Sequence, residues 1–152
     1  MTTTPWFANL VCPVSSARGD QRVVRLTALL VAALAVAYLV TRTVWIPALL
    51  CADFVARGAG RRAWSPLARV AQAVVAWTRR PPILIDLAPK QFAARIGGVF
   101  TFGMLATHAW APTAALALGG VLAAFAVLES LGNVCVGCLV YARVMVPLVR
   151  RR

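Results

Sequence analysis

The sequence predicts an all-α polytopic membrane protein with four transmembrane helices, an interfacial amphipathic helix and a short C-terminal helix. Three observations predict it. Of 152 residues, 61% are hydrophobic and only 13% are charged, against about 25% charged in a soluble domain. The apolar residues come in long runs, and the basic residues fall in blocks between those runs. A water-soluble chain with so little polar surface could not cover itself. The whole chain, 1–152, reads as a single membrane-embedded domain.

The first 22 residues form an amphipathic lead, in which Trp6, Phe7, Leu10 and Val11 read as an interfacial anchor ahead of Cys12-Pro13. With no basic n-region and no apolar h-region, no cleavable signal peptide is expected. The first span is expected over about 23–43 and the second over about 44–59. The second is short, because a helix needs about 20 residues to cross the hydrocarbon core, so tilt or local thinning is implied. Ser65-Pro66 makes an N-cap and first-turn pair. Leu67, Val70, Val74, Val75 and Trp77 follow at helical spacing, which predicts an interfacial helix over about 65–78. Arg79-Arg80-Pro81-Pro82 ends it. The third span is expected over about 92–108 and the fourth over about 113–132, where Gly119-Gly120 and many alanines permit close helix approach. Gly132-Asn133 supplies a helix stop, and an apolar segment follows Cys135-Val136-Gly137-Cys138.

Orientation follows from the charges. The N-terminal flank carries Arg18, Arg22 and Arg25, the first short turn only Arg42, and the long connector eight basic residues. The second short turn has none, and the C-terminal segment has four. Alternate loops are rich and poor, as the positive-inside rule requires of four spans, so both termini and the long connector are expected in the cytoplasm. The net charge of +12 is matched to anionic headgroups of the lipid bilayer. No nucleic-acid recognition motif accompanies the basic blocks, and nucleic acid is not an expected partner.

Four ionisable residues fall within or beside the spans, Asp53, Arg57, Arg95 and Glu129. Asp53 and Arg57 are one helical turn apart and share a face. An unpaired charge at the bilayer centre costs roughly 2.5–3.5 kcal/mol even on the lenient insertion scale, so an intramembrane ion-pair cluster is expected. Either it fixes the packing of the bundle or it is a proton or anion site.

The cysteines are Cys12, Cys51, Cys135 and Cys138. By topology Cys12, Cys135 and Cys138 reach the cytoplasmic surface, where thiols are kept reduced, and Cys51 reads as core packing. A C-x-x-C pair at a helix start meets partial positive charge and unpaired amides, which favour a thiolate. Cys135 near the N-cap would attack and Cys138 would resolve, with Arg143 adding positive potential, Gly137 allowing a tight turn and Cys12 as a third thiol. A metal site is disfavoured, because closed zinc sites want four ligands and the only histidine, His108, lies at the opposite end. No cofactor is expected.

Several segments in order, Cys12-Pro13-Val14, Val24-Arg25-Leu26-Thr27-Ala28, Asp53-Phe54 with Arg57, and Ser65-Pro66-Leu67-Ala68-Arg69, form a recognisable series. It continues through Pro89-Lys90-Gln91-Phe92-Ala93-Ala94-Arg95-Ile96-Gly97, Leu128-Glu129 and Cys135-Val136-Gly137-Cys138. The chain resembles the bacterial membrane-protein family known as domain of unknown function 4395, over nearly its whole length. The resemblance implies a four-span protein of the bacterial inner membrane with no assigned activity. It also implies thioredoxin-like or rhodanese-like partners, which here must be separate proteins. Three functions follow as expectations. The first is a cytoplasmic-face thiol–disulfide or persulfide relay through Cys135, Cys138 and Cys12. The second is a non-catalytic accessory subunit of a larger membrane complex, and the third is a small-anion transporter built on the charged cluster.

Overall fold

The computed structural model describes residues 18–140 together with 142 and 143. Cys12 and the anchor at Trp6 and Phe7 lie outside the described residues. The fold is all-helical apart from one small ribbon. Strand β1 (Arg18–Asp20) leads into α1 (Gln21–Thr41) and α2 (Trp45–Gly58). A 3-10 turn (Arg62–Trp64) precedes α3 (Pro66–Trp77), and β2 (Leu84–Asp86) precedes α4 (Ala88–Thr107) and α5 (Pro112–Gly132). Residues 136–140, 142 and 143 are also helical.

The helix boundaries follow local chemistry. Asp20 caps α1 by accepting from the Arg22 amide at 2.9 Å. Ser65 caps α3 by accepting from the Ala68 amide at 3.1 Å, with Pro66 in the first turn, as the sequence predicts. Asn133 ends α5 in the left-handed conformation at φ 54°, a position asparagine tolerates through its short polar side chain. Helix α4 starts four residues before the expected 92. Asp86 Oδ1 accepts from the Ala88 amide at 3.0 Å, and Pro89 sits in the first turn, where its missing N–H costs nothing.

Helix α1 packs against α5 and α2 against α4, while α4–α5 and α1–α3 contacts close the bundle. Tyr38, Leu50 and Met104 are fully buried in its centre. Gly119 faces Tyr38 and Met104 at this centre, whereas Gly120 has nothing within 4 Å, so only the first glycine of the pair serves close packing. Two helices, α1 and α5, are long and apolar enough to cross a membrane, with mean hydropathies of 2.4 and 2.0. Only 39% and 33% of their most apolar stretches are buried in the protein, so much of their apolar surface faces outward. Helix α2 has 14 residues, about 21 Å at 1.5 Å per residue, against a hydrocarbon core of about 30 Å. Helix α4 has 20 residues but carries Lys90, Gln91 and Arg95 in its first turns.

Helix α3 buries Leu67, Ala68 and Ala71 and turns Val70, Val74 and Trp77 outward, with Trp77 90% exposed. Its apolar residues therefore serve two surfaces. The ribbon is an addition to the sequence reading. Residues β1 and β2 pair antiparallel, Arg18 with Asp86, Gly19 with Ile85 and Asp20 with Leu84. Three-residue strands leave no periodic signal.

Candidate functional site

Chemistry-bearing residues gather at one end of the bundle, where the C-termini of α2 and α5 meet the N-termini of α1 and α4. There α1 and α5 are tied by Arg25 Nε, which donates to the Ser130 carbonyl at 3.1 Å. Three polar groupings occupy this end.

The first is centred on Asp53, which is fully buried. Its Oδ1 accepts from Ser65 Oγ at 2.5 Å and from the Leu67 amide at 3.0 Å, so it binds the N-terminus of α3 to α2. Its Oδ2 lies 2.7 Å from Arg57 Nη2, a charge contact whose angles fall outside hydrogen-bond geometry. Arg57 also lies over the Phe54 ring, 4.4 Å from its centroid, which adds a cation–π attraction.

The second grouping adds a residue that the expected cluster lacked. Glu129 pairs not with an arginine but with Lys90, whose Nζ lies 2.6 Å from Glu129 Oε1. The early start of α4 puts Lys90 on the helix and beside the end of α5. Arg95 turns elsewhere: its Nε donates to the Gly58 carbonyl at 3.0 Å, satisfying an open carbonyl at the end of α2. The four predicted residues are thus brought to one end, but as separate contacts. Ser65, Lys90 and Arg62 complete them. The N-cap signal marked Ser65, but no local pattern marked its bond to an acid 12 positions earlier.

The third grouping is the C-x-x-C pair. Cys135 is buried and Cys138 half-buried, both as free thiols. Cys135 stands just before the helical segment that begins at 136, and its sulfur accepts from the Cys138 amide at 3.4 Å, the N-cap geometry. The Cys138 thiol also donates to it, and this holds the Cys135 thiol below its ordinary pKa, with Lys90 assisting and burial and Glu129 opposing. The same bond, with burial, pushes the Cys138 thiol far up. Two expectations change here. The cation beside Cys135 is Lys90, while Arg143 is exposed. Gly137 does not take a positive φ. It is needed because a Cβ there would come within 2.6 Å of Ala93 Cβ, so the pair docks flush on α4.

Cys135 opens onto an apolar cavity of about 280 Å³ that also meets Phe100, Phe125, Arg57 and Glu129. A second crevice, of about 60 Å³, is lined by Arg57, Arg62, Lys90 and Glu129. Cys51 is half-buried and lines a groove between α2 and α4, and His108 meets the Tyr38 hydroxyl at 3.0 Å, in the turn after α4. Among the described residues no group of three or more His, Cys, Asp or Glu is placed to hold a metal ion.

The family model described as "Domain of unknown function (DUF4395)" matches residues 20–145. The chain belongs to this family. The match takes in Asp53, Arg57, Lys90, Glu129, Cys135 and Cys138, and it excludes Cys12, so the DUF4395 region contains all three polar groupings. No curated protein and no solved structure matches the chain.

Proposed function

We propose that this protein is a four-span membrane protein whose C-x-x-C pair relays electrons or sulfur at the cytoplasmic face. Four crossings and cytoplasmic termini are supported by the alternation of basic and neutral loops along the chain and by the outward apolar surface of α1 and α5. On this reading α2 and α4 cross as a shorter, packed pair in the same bundle.

The observation that carries the thiol reading is the Cys135 sulfur seated at a helix N-terminus, accepting from the Cys138 amide at 3.4 Å. Amide donors and the helix dipole stabilise a thiolate there. The Cys135 thiolate attacks a sulfur of an oxidised partner, forming a mixed disulfide as the partner's other sulfur leaves as thiolate. Cys138 then loses its proton and attacks Cys135, forming the intramolecular disulfide and releasing the partner's second thiolate. The partner gains the two electrons that the pair loses, and the sequence runs backwards when a partner dithiol attacks the oxidised pair. A thioredoxin-like protein fits as the disulfide partner. From a rhodanese-like persulfide the Cys135 thiolate takes the outer sulfur, becoming a persulfide itself as the partner's inner sulfur leaves as thiolate. Cys12 fits as a third thiol.

The test is mass-tagging of free thiols in cells, before and after oxidant or sulfur stress. Cys135 and Cys138 are expected to change oxidation state together. If both stay reduced throughout, the relay is wrong.

A second reading, a non-catalytic subunit of a larger complex, is favoured by the α2–α4 groove. Gly58, Ala59 and Gly98 line it, and Val99 and Phe102 stand 72% and 64% exposed along it. Small residues beside exposed large ones suit helix–helix association in lipid. Extraction in mild detergent followed by native mass measurement decides it. A larger assembly supports this reading, and a lone monomer at native abundance removes it.

A further inference from the structure

The chain contains sixteen basic residues and four acids, and the structure commits every acid. Asp20 caps α1, Asp53 binds Ser65, Leu67 and Arg57, Asp86 accepts from the Ala88 amide at the start of α4 and Glu129 pairs with Lys90. No Asp or Glu lies in residues 1–17 or 144–152. An arginine still buried without a carboxylate therefore has no counter-charge among the described residues.

Arg62 is such an arginine, and Arg57, whose Nη2 meets Asp53 but whose Nε has no partner among the described residues, faces the same crevice. Arg57 Nε and Arg62 Nε are both buried with no hydrogen-bond partner among the described residues, and both residues line the 60 Å³ crevice with Lys90 and Glu129. Arg62 is tucked under the β-ribbon, its Nη1 beside Gly19. Three cations and one carboxylate face the space; Lys90 matches that carboxylate at 2.6 Å and Asp53 holds Arg57 at 2.7 Å, which leaves Arg62 as the unmatched cation among them. Two guanidinium groups so placed repel each other. Burial first, and the charge of Arg57 second, hold the pKa of Arg62 below its ordinary value. A buried polar group left unpaired is costly, and more so when it is charged.

We propose that this crevice binds a tetrahedral oxyanion, a phosphate or sulfate group held by Arg57 and Arg62. The chemistry is that of arginine's planar fork, which matches oxyanion geometry with paired donors. The size agrees. A water-sized position needs about 10–15 Å³, so the crevice offers roughly four to six of them, and a tetrahedral oxyanion carries four oxygens. The walls, Val23, Val24, Ala68 and Ala94, are apolar and strengthen a charge-assisted bond. The anion arrives either as a free ion or as the phosphate of an anionic lipid headgroup, since Arg62 lies in the connector that the sequence places at the cytoplasmic surface. This site is independent of the thiol reading.

The experiment uses the full chain purified in a neutral maltoside detergent. In one arm, thermal unfolding is followed against inorganic phosphate or sulfate, with chloride at matched ionic strength as control. In the other, the protein is placed in phosphatidylcholine bilayers with or without phosphatidylglycerol, and retained lipid is read by native mass spectrometry. Stabilisation by phosphate or sulfate but not chloride assigns a free anion, and selective retention of phosphatidylglycerol assigns the headgroup. In either case Arg62→Gln is expected to weaken the apparent affinity about tenfold or more. Arg62→Lys, which keeps the charge but loses the fork, is expected to fall between. The proposal is overturned if neither arm distinguishes its anion from the control, or if Arg62→Gln folds and binds as the wild type does.

Discussion

Replacing Asp53 by alanine removes three contacts at one stroke. Ser65 Oγ and the Leu67 amide lose their acceptor, and Arg57 loses the carboxylate 2.7 Å away. The arginine is left largely buried, with 14% of its side chain exposed. Removing one partner of a buried ion pair costs about 3–5 kcal/mol, because the remaining charge is stranded. The two hydrogen bonds to the carboxylate, each about 1.5–3 kcal/mol, belong to the same network and do not add in full. Asp53→Ala is therefore expected to cost about 3–5 kcal/mol, roughly two to three and a half orders of magnitude in the folding equilibrium. The double variant Asp53→Ala with Arg57→Leu removes the stranded charge and is expected to be more stable than Asp53→Ala alone. Asp53→Asn, which keeps an acceptor for Ser65 and Leu67, is expected to cost less. Reversible unfolding in mixed detergent micelles measures all of these. A cost for Asp53→Ala within about 0.5 kcal/mol of zero, the range of ordinary surface changes, would refute the reasoning. So would a double variant less stable than the single.

Gly97→Ala drives a Cβ into the Phe54 ring and is expected to destabilise by about 1–3 kcal/mol, while Gly120→Ala, with nothing within 4 Å, is expected to be neutral or better in the same unfolding assay. Cys135, with its pKa lowered, is expected to alkylate with iodoacetamide at a lower pH than the ordinary thiol value of about 8.5, while Cys138, with its pKa raised, stays inert across that range. Per-cysteine mass spectrometry across pH reads both, and equal profiles would contradict the N-cap geometry. Lys90→Met removes a cation that lowers the Cys135 pKa and strands Glu129, which raises it, so the Cys135 profile is expected to move to higher pH and, with Glu129→Gln, to lower pH. Membrane-impermeant labelling of cysteines placed at 79 and 110 is expected to find them on opposite sides, and labelling from the same side would remove the four-span topology.

The helices were legible because their signals are local. Ser65-Pro66 at the start of α3 and Gly132-Asn133 at the end of α5 act within a turn, and the structure follows both. Where α4 begins was less legible, since Lys90 reads as loop until the bond from the Ala88 amide to Asp86 is known. The site was legible only by residue type. Asp53 and Arg57 are four apart and pair as their spacing requires, but Glu129 and Lys90 meet across 39 positions, and nothing short-range distinguishes Lys90 from Arg95 as the partner. Gly137 shows the same limit. A glycine inside C-x-x-C invites a turn explanation, and the actual constraint is Ala93 on another helix.

The short ribbon has an effect out of proportion to its six residues. By pinning Arg18–Asp20 to Leu84–Asp86, it sets how far α4 is inserted relative to α1, like a stop on a sliding bolt. Lys90 lies only four positions past β2. A slip of one residue would displace the chain by about 3.3 Å, more than the whole 2.6 Å separation between Lys90 and Glu129. Whatever loosens those three rungs would thus detune the charge beside the Cys135 sulfur without touching either cysteine.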